Sequence, residues 1–302
     1  MVTGGAGFIG SHLTKALVNN GWYVAVLDNL STGKLTNVPA ETRFFHGDVR
    51  DRKYVYEVVK KVQPSIIYHF AAQIGTAASM LDPQTDAETN IIGTLNLLQA
   101  AVNFSVRKLI FASSAAVYGT PLYLPIDENH PLNALSAYGV SKATAEKYVI
   151  MYKQLGLDYT ILRFANVYGP GQNSGAEGGV VAVFADRFQH KQTVEIFGDG
   201  EQTRDFVYVK DVVQANLAAI KSGSTGTFNI GSGSHISINV LQKTLQKLTK
   251  TELKPLYRPP RLGDIPHSAL DSSKAKNLLG WQPQYNLDKG LAELLLQVPV
   301  HR

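Results

Sequence analysis

The residues with the clearest chemical potential are Tyr138 and Lys142, which stand four apart in the run Tyr-Gly-Val-Ser-Lys. On a helix, two residues at this spacing share a face. A nearby ammonium favours the phenolate, so we expect Lys142 to lower the pKa of Tyr138 from its usual value of about 10. A tyrosine tuned in this way can take a proton from a substrate hydroxyl near neutral pH.

The four-residue spacing alone is not sufficient evidence for a catalytic site, because Tyr56 and Lys60 have the same spacing. That second pair lies in a charged helical stretch, and we interpret it as a solvated face. Tyr138 differs because Ser114 ends an apolar strand pattern elsewhere in the chain. Ligand-facing groups emerge at the ends of strands in an open parallel sheet, so a serine there can donate to the same substrate oxygen as the tyrosine.

A glycine-rich run, Thr-Gly-Gly-Ala-Gly-Phe-Ile-Gly at 3–10, lies between a short strand pattern and an apolar-periodic helix. Such glycines let the backbone approach a pyrophosphate, and the helix N-terminus adds free N–H groups. Asp28 ends the next strand, where its carboxylate would accept hydrogen bonds from ribose hydroxyls and repel a 2′-phosphate. The pattern therefore predicts a dinucleotide site that takes NAD rather than NADP.

Short apolar runs alternate with helix-like stretches through the first half of the chain. Strands are predicted at 23–27, 43–46, 65–70, 108–112 and 158–164, and helices at 51–62, 83–103 and 137–155. This alternation predicts an α/β fold, a Rossmann-type doubly wound parallel sheet covered on both faces. Only three residues precede the glycines, so either the first strand is short or the chain lacks its natural first residues.

The second half is less regular and is rich in Gly, Pro and polar residues at 169–179 and 255–266. We expect residues 1–165 to form an NAD-binding Rossmann domain and residues 166–302 a smaller mixed α/β substrate domain. The two are expected to interleave, because apolar segments such as 206–209 can return to the first domain.

Composition narrows the class of protein. The 302 residues are 44% hydrophobic and 18% charged, which is ordinary for a globular protein. The sequence contains no run of 18 apolar residues, so no membrane span is predicted. No signal-peptide pattern is found at its start. Without cysteine, disulfides and thiolate catalysis are excluded, and we expect a cytoplasmic protein.

Charge and histidine spacing exclude two further kinds of site. The net charge is +5, but no Lys/Arg run is interleaved with aromatics, so we expect no nucleic-acid partner. The eight histidines show no metal-ligand spacing, and no metal is predicted. His46 and His69 stand in apolar runs and are expected in the core.

The motifs together resemble the extended short-chain dehydrogenase/reductase family. They are the glycine run, Ser-Ser-Ala-Ala-Val-Tyr-Gly at 113–119, Tyr-Gly-Val-Ser-Lys at 138–142, Arg-Phe-Ala-Asn-Val-Tyr-Gly-Pro at 163–170, the segment 198–211 and Arg-Leu-Gly-Asp at 261–264. The chain is most similar to the NAD-dependent nucleotide-sugar epimerases, and among them to UDP-glucose 4-epimerases. The resemblance implies an isomerase that passes hydride transiently to tightly bound NAD and returns it to the other face of the sugar.

The resemblance also implies roles for individual residues. The catalytic residues would be Ser114, Tyr138 and Lys142. The cofactor contacts would be Gly4, Gly7, Phe8, Ile9, Gly10, Asp28, Asn29, Asp48, Val49, Phe70, Ala71, Ala72, Asn90, Tyr138, Lys142 and Phe164. The nucleotide sugar, a UDP-hexose, would contact Ser114, Asn166, Phe197, Arg204, Arg261, Asp264 and Ser268. Guanidinium groups suit diphosphate oxygens because they donate in pairs.

Alternatives within the family remain open. Related dehydratases carry an Asp-Glu pair after the strand-end Ser or Thr and decarboxylases a Glu, whereas this chain has Ala115 and Ala116. That difference favours epimerisation, with UDP-glucuronate 4-epimerase, a dehydratase or a decarboxylase as alternatives. An alternative of another class is a non-catalytic NAD-binding regulatory protein, which often loses the tyrosine or lysine. The resemblance also implies turnover of the N-acetylated sugars, because the small Ser268 stands where some of the glucose-specific relatives carry a bulky tyrosine. It further implies a homodimer that pairs through the long helices at 83–103 and 137–155.

Overall fold

The computed structural model describes residues 1–175, 178–220, 223–261 and 264–296. Its strands are β1 (Val2–Thr3), β2 (Ala25–Asp28), β3 (Arg43–His46), β4 (Ile66–His69), β5 (Lys108–Ser114), β6 (Asp158–Phe164), β7 (Asn166–Tyr168), β8 (Glu195–Phe197), β9 (Thr203–Arg204), β10 (Phe206–Tyr208), β11 (Gly226–Ile230), β12 (Ile236–Ser237) and β13 (Leu256–Arg258).

The helices alternate with these strands in the first half of the chain. They are α1 (Phe8–Asn19), α2 (Arg52–Val62), α3 (Thr76–Leu81), α4 (Pro83–Ala87), α5 (Gly93–Asn103), α6 (Ala137–Met151), α7 (Val180–Gln189), α8 (Val209–Ala218), α9 (Ile238–Thr249), α10 (Ser273–Leu279) and α11 (Leu287–Leu295). Where one long helix is predicted at 83–103, α4 and α5 are joined by a π-helical turn, Glu88–Ile92. None of the helices described is long and apolar enough to cross a membrane.

Seven parallel strands form the central sheet in the order β11-β6-β5-β4-β1-β2-β3. Apolar residues alternate along each strand, so one face packs on α1, α8 and α10 and the other on α2, α5 and α6. The predicted doubly wound Rossmann fold is confirmed. The order of the strands reverses between β1 and β4, and a crevice opens there at the carboxyl ends, where such folds bind ligands.

The later part of the chain builds a smaller mixed layer. Helices α7, α9 and α11 pack together with the two-stranded sheets β7–β10 and β8–β13 around a separate apolar cluster. The segment expected to return to the first domain, 206–209, contributes Val207 to the core of the large sheet but pairs with β7 instead of joining that sheet. The strand that does join it is β11, which pairs with β6.

One expected core residue is exposed. His69 is 1% exposed and its ring bonds Thr3 and Thr94, as a packed histidine should. His46 is exposed, with Nε2 3.2 Å from the Asn29 carbonyl oxygen, so the prediction of a core position is wrong. The physical reason is that β3 is the edge strand of the sheet, which leaves its last residue open to solvent.

Candidate active site

The start of α1 forms the floor of a groove at the carboxyl edge of the sheet. Gly4 has φ +69°, a conformation that favours glycine, and a Cβ on Gly10 would lie 2.1 Å from the Gly4 carbonyl oxygen. Gly7 caps α1 with no side-chain bond, so the first N–H groups of the helix remain available to an anion. Both features fit a pyrophosphate at this turn.

Most of the residues predicted to contact the cofactor line this one groove. They are Gly4, Gly7, Phe8, Ile9, Gly10, Asp28, Asn29, Asp48, Val49, Phe70, Ala71 and Ala72. The groove also includes Ser31 and Thr32, which sequence reasoning missed. Their position just after the strand-end Asp28 was the available signal. The glycine turn, the helix N-terminus and the carboxylates of the groove are the groups that bind a dinucleotide in Rossmann folds.

Carboxylates in the groove are held in place by the surrounding backbone. Asp28 accepts from Ala6 N at 2.9 Å and from Leu30 N at 2.8 Å, which leaves lone pairs on both oxygens for ribose hydroxyls. Asp48 accepts from Arg50, which lowers the pKa of that carboxyl to about 2. Asp48 is therefore a fixed negative charge in this groove.

Asn90 takes a different position from the rest of the predicted cofactor contacts. It is 1% exposed, and its amide joins the Gln73 backbone, with Gln73 N 2.9 Å from Oδ1 and Nδ2 3.0 Å from the Gln73 carbonyl oxygen. The structure thus places Asn90 behind the wall of the groove, where it anchors the loop after β4.

The predicted catalytic residues meet between β5 and α6. Ser136 caps α6 by accepting from Gly139 N at 3.1 Å, which fixes Tyr138 in the first turn. Tyr138 N donates to Ser79 Oγ at 3.1 Å, an anchor that the sequence did not reveal. Lys142 follows one turn later, and its Nζ donates to the Ala112 carbonyl oxygen at 2.9 Å, two residues before Ser114.

The pKa of Tyr138 moves against the sequence-based prediction. Burial raises it, the interaction with the Ser114 hydroxyl opposes part of that rise, and the charge of Asp86 adds to it. The ammonium of Lys142 bonds a backbone carbonyl and lies 4.9 Å from the Phe111 ring centroid. Burial lowers the pKa of Lys142 to about 8, which brings its own proton loss close to neutral pH.

A second cavity, of about 730 Å³, collects most of the predicted substrate contacts. Asn166, Phe197, Arg204, Arg261 and Asp264 line it. Sequence reasoning missed Gln192 and Glu195 in the same wall, because nothing in their local sequence distinguishes them. The volume lies within the usual range for a small-molecule pocket.

The two arginines of this cavity are held in different ways. Arg204 bonds the Asp264 carboxylate, and its Nη1 donates to the Ile265 carbonyl oxygen at 2.6 Å. The guanidinium carbon of Arg261 lies 3.9 Å from the Phe197 ring centroid, a cation–π contact. Leu262 and Gly263, the middle of the predicted motif 261–264, lie outside the described residues.

Ser268 lies beside β9, the short strand that carries Arg204. Its backbone N donates to the Thr203 carbonyl oxygen at 3.2 Å, its side chain is half-buried, and it is not among the residues that line the cavity. No contact in the structure supports its predicted role in sugar selection.

Strand β6 connects the dinucleotide groove, the catalytic residues and the arginine-lined cavity. Phe164 pairs with Ser114 in the sheet, and its ring stacks on Phe70 of the groove with centroids 6.2 Å apart. Two residues later, Asn166 lines the cavity. The serine and tyrosine therefore stand between a dinucleotide groove and a cavity that contains two arginines, which is where a reacting group of a phosphorylated substrate would lie.

The family model of the NAD-dependent epimerase/dehydratase family matches residues 1–231. The chain belongs to this family. It is 43% identical to the UDP-glucose 4-epimerase of Thermotoga maritima solved with UDP-glucose, over 98% of this chain and 97% of that one, with a TM-score of 0.96. The Thermus thermophilus UDP-glucose 4-epimerase in complex with NAD is 38% identical over 98% and 97% of the two chains, with a TM-score of 0.92. The UDP-glucose 4-epimerase of Mycolicibacterium smegmatis is 40% identical over 97% of this chain and 96% of its own length.

Proposed function

We propose that this protein is a UDP-glucose 4-epimerase that interconverts UDP-glucose and UDP-galactose. The observation that carries the proposal is the position of Ser114, Tyr138 and Lys142 between the dinucleotide groove and the arginine-lined cavity. The activity of relatives that align over nearly the whole chain supports it.

The proposed substrate-binding residues would act on the nucleotide half of the molecule. Arg204 and Arg261 would hold the diphosphate, because both guanidinium groups reach the same cavity. Phe197 would lie by the base and Asn166 near the sugar end. With the nucleotide clamped, a sugar is free to turn over beside the catalytic residues.

The proposed proton transfer takes place at the phenol oxygen of Tyr138. That oxygen would accept the proton of the sugar O4 hydroxyl and later return it, while Ser114 donates to the same sugar oxygen. NAD supplies the hydride acceptor when bound. Lys142 would hold positive charge beside Tyr138, and its carbonyl bond to Ala112 keeps that charge fixed relative to β5.

The turn after Ser114 supports isomerisation over elimination. Ala115 and Ala116 begin a short 3-10 helix, Ala115–Val117, at the carboxyl end of β5. Neither side chain carries an acid that could protonate a leaving water. We therefore propose that the keto sugar formed at C4 is reduced again and is not dehydrated.

The experiment is incubation of the purified protein with UDP-glucose, UDP-N-acetylglucosamine or UDP-glucuronate, followed by separation of the epimers. UDP-galactose formed from UDP-glucose, with no NADH accumulating, is the expected result. A product that has lost water or carbon dioxide would instead identify a dehydratase or decarboxylase, and no turnover of any substrate would favour a regulatory protein. Turnover of UDP-N-acetylglucosamine would support the prediction based on Ser268.

Tyr138→Phe is the variant for the same assay, with an expected loss in kcat of about 10²- to 10⁴-fold, the usual contribution of a general base. The matched control is Tyr56→Phe in the second tyrosine–lysine pair. Tyr56 packs against Phe104, with ring centroids 4.6 Å apart, and lies outside the proposed site. A Tyr138→Phe enzyme with full activity would remove the proposed mechanism.

We further propose a cytoplasmic homodimer whose protomers each contain both parts of the site. Residues 1–165 would carry the NAD site and residues 166–302 the nucleotide-sugar site, with β11 returned to the large sheet. The dimer contact would lie on the helices predicted for it, because Ile92, Val140 and Met151 expose large apolar side chains there. The absence of cysteine fits a reducing compartment.

A further inference from the structure

A buried carboxylate stands next to the proposed catalytic pair and has no role in the mechanism so far. Asp86 is the last but one residue of α4, shortly before the π-helical turn, and is 1% exposed. Its Oδ1 accepts from Asn90 Nδ2 at 3.0 Å, and the same amide group lies 3.0 Å from Ser141 Oγ. Within the described residues, Oδ2 is buried without a hydrogen-bond partner. Burial of a carboxylate costs stability unless its charge is paired and hydrogen-bonded, so a buried oxygen without a partner calls for an explanation.

The groups that face Asp86 belong mainly to α6. Burial raises the pKa of Asp86, and the Ser141 hydroxyl and the charge of Lys142 oppose that rise. The charge of Asp86 in turn raises the pKa of Lys142 and of Tyr138. On the other side of Lys142 stand Glu146, one turn further along α6, and His69, which burial keeps neutral. Asp86 is the acidic group that acts on both members of the catalytic pair.

We propose that Asp86 is a positioning residue of the Tyr138–Lys142 pair, whose buried negative charge keeps Lys142 an ammonium and sets the pH range in which the pair works. The proposal rests on the proposed function of that pair. The π-helical turn contributes because it carries Asn90, whose amide group donates both to Asp86 and to the Gln73 carbonyl oxygen. Asp86 thus acts through Lys142 and Tyr138 and does not touch substrate.

The direction of the effect follows from charge. Asp86 raises the pKa of Lys142 against burial, and it also raises the pKa of Tyr138. Removing the charge lowers both pKa values, so both limbs of the pH profile of kcat move to lower pH. A charged partner at short range typically shifts a pKa by about one unit or more. A residue that only shapes the fold would reduce kcat and leave the limbs in place.

The test is the pH profile of kcat for Asp86→Asn, with Glu88→Gln as the matched control. Glu88 lies two residues further on and pairs at the surface with Gln84 and Arg50, so its profile should coincide with that of the unaltered protein. We expect both limbs to move down by about one pH unit in Asp86→Asn. Limbs that stay in place, or move in opposite directions, would overturn the proposal.

Two further measurements keep the test decisive. Asp86→Ser also removes the charge and serves if Asp86→Asn does not fold. A carbon-13 NMR titration of the aspartate carboxyls in the unaltered protein needs no variant, and a buried carboxyl that stays protonated through the active pH range would disprove the proposal. Failure of the unaltered protein to epimerise, or full activity of Tyr138→Phe, would instead count against the proposed function itself.

Discussion

Arg204 is the residue at which the proposed clamp on the nucleotide is most open to test. Its guanidinium lines the cavity while it bonds Asp264 and two backbone carbonyls, so it is pre-positioned for an anion. We expect Arg204→Met to raise the KM for UDP-glucose about 10- to 100-fold, the value of a lost hydrogen bond to a charged group. Its kcat should change less, because the diphosphate is held equally in ground and transition states.

Steady-state kinetics measure this, with Arg107→Met as the matched control. Arg107 is exposed immediately before β5, at the opposite edge of the sheet from the site. An unchanged KM in Arg204→Met would show that the diphosphate binds elsewhere.

His69 makes the stability of the protein depend on pH. Burial lowers its pKa from 6.5 to about 3, so between these values the unfolded chain binds a proton that the folded chain does not. The free energy of unfolding therefore decreases as pH falls below about 6.5. The contribution of this residue to that decrease is about 1.4 kcal/mol per pH unit.

Urea unfolding between pH 5 and pH 6.5, above most carboxyl titrations, measures this slope. His69→Gln should remove about that much of it, whereas His46→Gln, a change at the exposed ring, is the matched control. Equal slopes in all three proteins would show that His69 is protonated in the folded state.

At the scale of elements, a buried ion pair holds α6 against the sheet. Arg163 of β6 donates to Glu146 of α6 from Nη2 at 2.6 Å and from Nε at 2.9 Å, and Ser113 of β5 donates to the same carboxylate at 2.5 Å. These contacts join the strand that ends in Ser114 to the helix that carries Tyr138 and Lys142. The register of the catalytic residues depends on them.

Removing one partner leaves an uncompensated buried charge, so we expect Glu146→Gln to lower the free energy of unfolding by about 3–5 kcal/mol. The matched control is Glu195→Gln, which breaks an exposed pair with Arg258 and should cost little. Urea unfolding compares the two. A small change in Glu146→Gln would mean that the pair is replaced by solvent or by other partners.

The elements also show what sequence could predict. Strands 43–46 and 158–164 have the predicted bounds, since each is rich in the aromatic and β-branched residues that strands favour. The glycine loop was also predicted from the sequence, because its glycines stand between a strand pattern and an apolar-periodic helix. The sequence did not predict the roles of Ser79, Asp86 and the π-helical turn, because these roles depend on which side chains of α6 lie beside them.

The direction in which the pKa of Tyr138 shifts could not be predicted from the sequence either. The spacing to Lys142 predicted a lowered value, but spacing gives no information on burial or on the carbonyl that Lys142 bonds. The roles of individual site residues remain predictions until the variants are measured.

At the scale of the whole molecule, the proposed homodimer places apolar surface of one protomer against the other. Exposed Ile92 and Met151 lie on the paired helices, whereas Leu278, 63% exposed, lies on α10 away from them. We expect Ile92→Lys combined with Met151→Lys to convert dimer to monomer in sedimentation velocity, because a buried unpaired charge disfavours association. Leu278→Lys should leave the dimer intact, and a monomeric unaltered protein would contradict the proposal.

The position of β11 bears on how the chain is made. Its partner β6 is finished at Phe164, yet the strand that covers its open side is not synthesised until Ile230. A nascent chain therefore displays an unpaired, apolar strand to its surroundings while some sixty further residues are added, a template for pairing with a neighbouring chain. Folding on the ribosome must wait for the arrival of that last strand or rely on a chaperone to shield the gap.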